Sequence, residues 1–421
     1  MTQIKPFEAV SYNPEKIRNI SQVVCPPYDV ISKEQQNRLH NLNPYNFIHL
    51  DLGKDQSHDN ETDNKYTRAQ KLYEDWMREG ILKQDDKPCI YFYKQEYRII
   101  GQRYSRLGFI ALMKLQDEGD TKIFPHENTH SAAKEDRFKL TSLLKSNLSP
   151  IFVIFSDKKK TAESIFAKHL EQQHPPVFDI KDDEGVRHML WRLEEPQYVK
   201  DICDALEEQK FFIADGHHRY EVAQEYRTHR LKSRPRTNGS PFDYVLTYFT
   251  NMESKDLQIF PIHRVIKKMT GPLDFLEEYF RIDKIKVRDD LVVLLAKAGK
   301  NECAYGLYTR DGIKLLRLKN RALIDQNIRE GSKEYRHLDA TILKHFVFDR
   351  LGISTDNIIY IKDIQPAMAL VDNREADAIF ILNPVQIQQM KAIALNGERM
   401  PLKTTYFYPK VLSGLTIYKI E

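Results

Sequence analysis

The stretch Phe211-Phe212-Ile213-Ala214-Asp215-Gly216-His217-His218-Arg219-Tyr220-Glu221 holds the chain's densest chemistry. Four apolar residues run into an acid, a glycine, two histidines and an arginine. Val222, Ala223 and Tyr226 then fall on one face at helical spacing. The pattern predicts a strand, a sharp turn and a helix, with the reactive side chains at the turn. A helix start presents unpaired backbone N–H groups and a partial positive charge, and glycine lets the backbone approach a ligand. The turn is therefore a candidate anion site.

Working outward, His188 to Glu194 reads as a strand and Val199 to Gln209 as a helix. Ile151 to Phe155 is a strand entered through Ser149-Pro150, after a helical stretch from Phe138 to Leu148. Cys89–Lys94 and Tyr97–Ile100 read as a hairpin across a short polar turn, followed by the buried run Phe109–Met113. Nearer the start, Pro26-Pro27 bends the chain, Ser32 and Gln35 cap a helix, and Asn43-Pro44-Tyr45-Asn46 leads into a strand-like Phe47–Leu50. Tyr66 to Glu79 is an amphipathic helix stopped by Gly80. Downstream, Tyr244–Phe249 is a strand and Ile259–Arg264 an extended, proline-interrupted segment. After Gly271-Pro272 come helices near 273–280 and 289–298 and a hairpin through Asp311-Gly312. A helix from Asp339 to Leu351 follows, then strands at 358–361 and 378–382. This irregular alternation with several hairpins predicts an α+β fold with mixed sheets over a doubly wound parallel sheet. Residues 1–270 are expected to form the catalytic core and 271–421 a C-terminal α+β domain.

The 421 residues are 41% hydrophobic and 29% charged, ordinary for a soluble globular chain. A net charge of +4 is too mild to argue for nucleic acid. The run Arg227, Arg230, Lys232, Arg234, Arg236 reads as a solvated helix end and loop. Cys25, Cys89, Cys203 and Cys303 lack the spacing of a zinc site or disulfide framework. Met1 to Val10 has no apolar signal core and no run approaches a membrane span, so a cytoplasmic protein with reduced thiols is expected.

Phosphoryl chemistry needs cationic donors around phosphate oxygens and a group to move a proton. Arg219 can grip phosphate bidentately, His217 and His218 titrate near neutrality, and Asp215 can orient a histidine or bind a metal. His126-Glu127-Asn128-Thr129-His130 matches the His-Glu-x-x-His zinc pattern literally. Pro125 before it and weak helix formers within it argue instead for a polar active-site loop supplying His126 and Glu127. Lys134, Asp136 and Arg137 can add charge there, and the rigid Pro26-Pro27 loop carries Tyr28 and Asp29 at its tip. Phosphate loops of the Gly-x-x-x-x-Gly-Lys-Ser/Thr type, Gly-x-Gly-x-x-Gly and Gly-x-Ser-x-Gly are absent from the sequence.

The chain resembles the domain-of-unknown-function 1015 family of bacteria and archaea. The matching pieces are Val24–Ser32, Asn43–Asn46, His126-Glu127 with Thr129, Asp136-Arg137, Ser149–Phe152, Ile213–Tyr220, and the tail Lys403–Lys410 with Ser413-Gly414-Leu415. Ala133 stands where the family pattern has proline, and His130 lies outside that pattern. The Asp215–Arg219 turn also resembles the phosphate-binding box of the ParB/sulfiredoxin superfamily, which includes free-serine kinases using ADP or ATP.

This resemblance implies a ParB/sulfiredoxin-like core and phosphoryl transfer in serine metabolism, by a nucleotide-dependent serine kinase or a phosphoserine phosphatase. Asp29, Glu127, Asp215, His217 and His218 are then the expected catalytic groups. Gly216, Arg219, His126 and Arg137 would bind phosphate or nucleotide, and Tyr28 and Tyr220 the substrate. Magnesium would serve the kinase version, and no protein metal ligands are expected. The alternatives are a ParB-like nucleotide switch or DNA-associated module, and a metal hydrolase using His126 and His130.

Overall fold

The computed structural model describes residues 3–117, 119–233 and 239–421. Two units are formed: Met1–Pro125, Thr129–Leu257 and Pro409–Glu421 make the first, His126–Asn128 and Gln258–Tyr408 the second. The sequence placed a single division after residue 270, with everything beyond it in one domain. Here the chain leaves the first unit after Leu257, and Pro409–Glu421 goes with the first unit.

In the first unit the strands are β1 (Ile4–Lys5), β2 (Val10–Tyr12), β3 (Leu82–Gln84), β4 (Ile90–Ile99), β5 (Gln102–Lys114), β6 (Ile123–Phe124), β7 (Ser146–Asn147), β8 (Ile151–Phe155), β9 (Phe178–Lys181), β10 (Arg187–Leu193), β11 (Phe211–Asp215) and β12 (Tyr244–Asn251). The helices are α1 (Lys33–Leu42), α2 (Ile48–Asp51), α3 (Lys65–Arg78), α4 (Ser131–Leu144), α5 (Thr161–His169), α6 (Pro196–Leu206) and α7 (His217–Ser233). Nine strands join in the order β6-β11-β8-β12-β5-β4-β10-β9, with β1 on β5. The pairs β6–β11 and β8–β12 are parallel and the other neighbours antiparallel, so the sheet is mixed.

Alternation gives this sheet two unlike faces. Phe92, Phe109, Val153, Ile213 and Phe249 point to one side, where Phe166 of α5, Ile202 of α6 and Ala223 of α7 close an apolar core. The expected buried face of α7 is present: Val222, Ala223 and Tyr226 are all buried. The opposite face carries Tyr93, Gln95, Arg106, Phe152, His188 and Tyr248, all buried.

Two local expectations change. The strand β4 runs unbroken through Gln95 and Glu96, and the hairpin turns at Ile100-Gly101, both with positive φ. Gln95 looked like a turn residue but is a buried strand residue that accepts a hydrogen bond from Arg106 Nε at 3.1 Å. Phe47–Leu50 is not a strand. Asn46 Oδ1 accepts from the Ile48 N–H at 3.0 Å and starts the short helix α2, which is buried on several sides at once. The Ser32 cap is formed as expected, accepting from the Gln35 N–H at 3.1 Å.

The second unit has an antiparallel sheet of Phe280–Ile285, Gly312–Leu318, Ala304–Thr309, Ala378–Ile381, His263–Ile266 and Ile358–Ile361, in that order. Apolar clusters lie on both of its faces. The expected Asp339–Leu351 helix is present, with a π-helical turn at Lys344–Phe348. The whole is an α+β fold of mixed sheets and hairpins.

Candidate functional site

The opening stretch forms β11 and α7, joined at Gly216. Within β11, Phe212 faces Ile154 and Ile213 faces Val153, but Asp215 faces Phe152, so Ala214 is an extra residue. Side chains alternate along a strand, and Ile213 points into the apolar core. Without the bulge Asp215 would point there too. The extra residue turns it to the face that holds Phe152 and Arg106. Gly216 follows at φ +85°, a left-handed conformation that costs glycine nothing. A side chain there would start 3.0 Å from the Arg219 guanidinium.

Asp215 is shared by two cations. Arg219 Nη2 lies 2.9 Å from its Oδ2 and Lys410 Nζ 2.5 Å from its Oδ1. Burial opposes ionisation of this carboxyl, but Lys410 and then Arg219, with His217, hold its pKa well below the usual carboxylate range. Arg219 Nη1 also donates to the Pro150 carbonyl and, at 3.2 Å, to Ser149 Oγ. Both terminal nitrogens of Arg219 thus have partners in the framework.

A second charged group lies beside the first. Arg137 Nη1 donates to Asp51 Oδ1 at 2.9 Å and to the Asp51 carbonyl at 2.7 Å, and Nη2 meets Asp136 Oδ2 at 2.6 Å. Asp136 also accepts from the Tyr66 hydroxyl at 2.8 Å. The Arg137 guanidinium stacks over the Tyr28 ring at 4.2 Å. Burial raises the Tyr28 pKa; Asp29 adds to this, and Arg137 and Arg219 oppose it. Burial also raises that of Asp51, against the pull of Arg137 and Arg219. A cavity of about 30 Å³, room for about one water, is lined by Asp51, Arg137, Ser149 and Arg219, among others. Charge alternates along the series Lys410, Asp215, Arg219, Asp51, Arg137, Asp136. Asp29 is exposed, in the 3-10 turn Tyr28–Val30, and no ion pair or hydrogen bond to its side chain is found among the described residues.

At the α7 start, His218 Nε2 accepts from the His130 N–H at 2.9 Å, which puts the neutral imidazole's proton on Nδ1. Glu221 accepts from Thr129 Oγ1 at 2.6 Å and meets Lys134 Nζ at 3.1 Å. His217 is buried. Tyr220 packs in the apolar core under the sheet and not beside Asp215, because it lies one residue, about 100° around the helix, from Arg219.

The first unit thus holds Tyr28, Asp29, Arg137, Asp215, Gly216, His217, His218 and Arg219, whereas His126 and Glu127 belong to the second. There His126 Nε2 is 3.2 Å from Thr405 Oγ1, and Glu127 Oε1 accepts from the Lys403 N–H at 2.9 Å. Burial lowers the Arg264 pKa to about 10, with Tyr360 and Glu127 opposing. The His126–His130 segment is extended, and the helix begins only at Ser131, so the two histidines share no helical face. No cluster of metal-binding side chains occurs among the described residues. Of the basic run, Arg227 pairs with Asp117 at 3.1 Å and Arg230 with Glu421 at 2.5 Å; Arg234 and Arg236 lie outside the described residues. No described helix is long and apolar enough to cross a membrane.

Sequence reading missed Lys410, Asp51 and the buried Gln95–Arg106 pair. Lys410 stood in plain view within the tail Tyr408-Pro409-Lys410, but nothing local ties that segment to Asp215.

Among solved structures, the chain is similar to a conserved hypothetical protein from Pyrococcus furiosus, at 14% identity over 74% of this chain and 95% of that one, TM-score 0.36. It is also similar to a free serine kinase in complex with AMP, at 14% identity over 71% and 86%, TM-score 0.35. SbnI with C-terminal truncation from Staphylococcus aureus matches at 10% identity over 74% and 87%, TM-score 0.38. No curated protein matches the sequence. Residues 4–341 match the family described as Protein of unknown function (DUF1015), and the chain belongs to that family.

Proposed function

We propose that the first unit catalyses phosphoryl transfer at the hydroxyl of serine, as a nucleotide-dependent serine kinase or as a phosphoserine phosphatase. The observation that carries this reading is the sharing of Asp215 between Arg219 at 2.9 Å and Lys410 at 2.5 Å, at the amino end of the 17-residue helix α7. Two cations face one carboxylate here, Asp51 and Asp136 against Arg137 balance them along the wider series, and the helix end adds about half a positive charge. A phosphate dianion suits that positive end; a neutral ligand would not use it.

In this reading the α7 amino end, with Gly216, receives the phosphate. His217 or His218 handles a proton, or takes the phosphoryl group in the phosphatase version. Asp29 is exposed and beside Tyr28, and is the group available to activate serine or water. Arg137 and Asp51 fix the Tyr28 ring. In the kinase version, ATP or ADP would supply the phosphoryl group, leaving ADP or AMP, and Mg2+ would neutralise its charge.

Incubation with O-phosphoserine, without nucleotide, with ADP and with AMP, tests the proposal, following free phosphate, serine, ATP and ADP. Phosphate release without nucleotide identifies the phosphatase version, and formation of serine together with ATP from ADP, or ADP from AMP, the kinase version. O-Phosphoserine left intact under all three conditions, with Mg2+ present, overturns the proposal.

A further inference from the structure

Which cation meets the phosphate is a separate question from whether a phosphate binds. Arg219 spends its two terminal nitrogens on Ser149, Pro150 and Asp215. Moving it would strand buried acceptors in the framework. Lys410 reaches the same carboxylate from a different part of the chain, with a point charge on a flexible stem. Its side chain is 11% exposed.

The backbone behind Lys410 is held in an unusual way. Arg106 Nη2 donates to the Pro409 carbonyl, and Gln95 Nε2 donates to the Lys410 carbonyl at 2.9 Å. Arg106 and Gln95 are cross-strand partners in the middle of the sheet, and neither is exposed. The Arg106 guanidinium lies against the faces of Phe152 and Tyr248, at 4.9 and 5.6 Å. Removing a guanidinium from water carries a large desolvation cost. Apolar residues could fill this face of the sheet without that cost. What the arginine on β5 and the glutamine on β4, three and four strands away from β11, achieve is a fixed position for the main chain of residues 409 and 410. The bulge at Ala214 turns Asp215 to that same face.

Resting on the phosphoryl-transfer reading, we infer that Lys410 is a phosphate ligand of the site: its ammonium moves from Asp215 Oδ1 to a phosphate oxygen, while Arg219 stays on Asp215. Arg106 and Gln95 are positioning residues for it. The carboxylate acts as a parking place that keeps the ammonium aimed before the ligand arrives.

Calorimetric titration with O-phosphoserine separates this from a purely structural role. Wild type, Lys410→Gln and the double variant Asp215→Asn/Lys410→Gln are compared, each checked for native circular dichroism. Lys410→Gln is expected to weaken binding about 10- to 100-fold, the worth of one charge-assisted hydrogen bond. The double variant is expected to stay as weak, because the missing contact is to the ligand. If Lys410 only neutralises Asp215, removing both charges restores wild-type affinity, and that result overturns the inference while leaving the phosphoryl-transfer reading intact. Unchanged affinity in Lys410→Gln does the same. A wild-type protein that binds no O-phosphoserine overturns both. If Lys410→Gln does not fold, Lys410→Arg takes its place: a planar guanidinium cannot reproduce the ammonium's point contact, so weakened binding supports the inference and unchanged binding overturns it.

Discussion

Gly216 sits between the shared carboxylate and the first turn of α7, and its φ of +85° is one that other residues adopt only under strain. An alanine there carries a second penalty, since its Cβ would meet the Arg219 guanidinium at 3.0 Å. Gly216→Ala is expected to destabilise the protein by about 1–2 kcal/mol, the cost of a left-handed non-glycine residue, and to displace Arg219 from Asp215. Urea unfolding measures the first effect. Turnover of O-phosphoserine measures the second, and a loss beyond what destabilisation explains is expected. A variant with wild-type stability would contradict the strain argument. This residue was legible in the sequence because an acid, a glycine, two histidines and an arginine at a strand end have few structural uses together. The direction Arg219 takes was not legible. It depends on Ser149 and the Pro150 carbonyl, about seventy residues earlier in the chain, which the fold alone brings to it.

At the scale of elements, β11 shows how one added residue decides what a strand can do. An alanine inserted after Ala214 would take the place opposite Phe152 and turn Asp215 into the apolar core with Ile213. A buried pair broken in this way costs about 3–5 kcal/mol, so the insertion variant is expected to express in insoluble form or to melt far below wild type, whereas Ala214→Ser keeps the register and should remain folded. Solubility and thermal melts distinguish the two. The bulge could not be read in advance, because Phe211–Ala214 is apolar whichever way it faces. The β4–β5 hairpin teaches the same point. Gln95 and Glu96 resemble a turn, yet Gln95 is buried because Arg106 stands opposite it on the next strand. Long-range pairing overrides local polarity in both cases.

The second unit carries a pH-sensitive strand. His263 is buried and its Nδ1 accepts from the Leu382 N–H at 3.3 Å. Burial, with Arg264 adding, lowers its pKa from 6.5 to about 4. Below 6.5 the unfolded chain binds a proton that the folded chain refuses, so this histidine makes stability fall as the pH drops from 6.5 towards 4 and has no effect above. Between pH 7 and pH 5 its share of the loss is about 2 kcal/mol. Urea unfolding of wild type and His263→Asn at the two pH values checks this, with a smaller drop expected in the variant. Equal drops would show that His263 accepts its proton in the folded state.

On the scale of the whole molecule, the α+β class followed from the alternation of strands, hairpins and helices. The chain path did not, because composition scarcely changes where the chain leaves the first unit after Leu257 or rejoins it at Pro409. The returning segment is woven in at several points. Cys25 and Ser413 exchange backbone hydrogen bonds of 3.2 and 2.8 Å, Val10 and Ile417 exchange another pair, and Tyr418–Lys419 pairs with β7. Ending the chain at Tyr408 removes all of these, together with Lys410 and the buried Ile417. The shortened protein is expected to melt at least about 10 °C lower, given several lost contacts at a few degrees per kcal/mol, and to lose binding of O-phosphoserine. Adding a peptide of residues 409–421 should restore part of both. Thermal melts and calorimetry with and without the peptide provide the check.

That returning segment also sets an order of events during synthesis. A ribosome makes residues 211–219 early, then all of 258–408, and only afterwards the thirteen residues that carry Lys410. Until then the nascent first unit holds its Asp215–Arg219 turn without the second cation, and its Val10 and Cys25 edges without their partners. A translation product cut short anywhere in the second unit would therefore lack a finished first unit, although nearly all of that unit's residues had been made. Synthesis beyond residue 408 becomes a condition of finishing the first unit, written into the path of the chain.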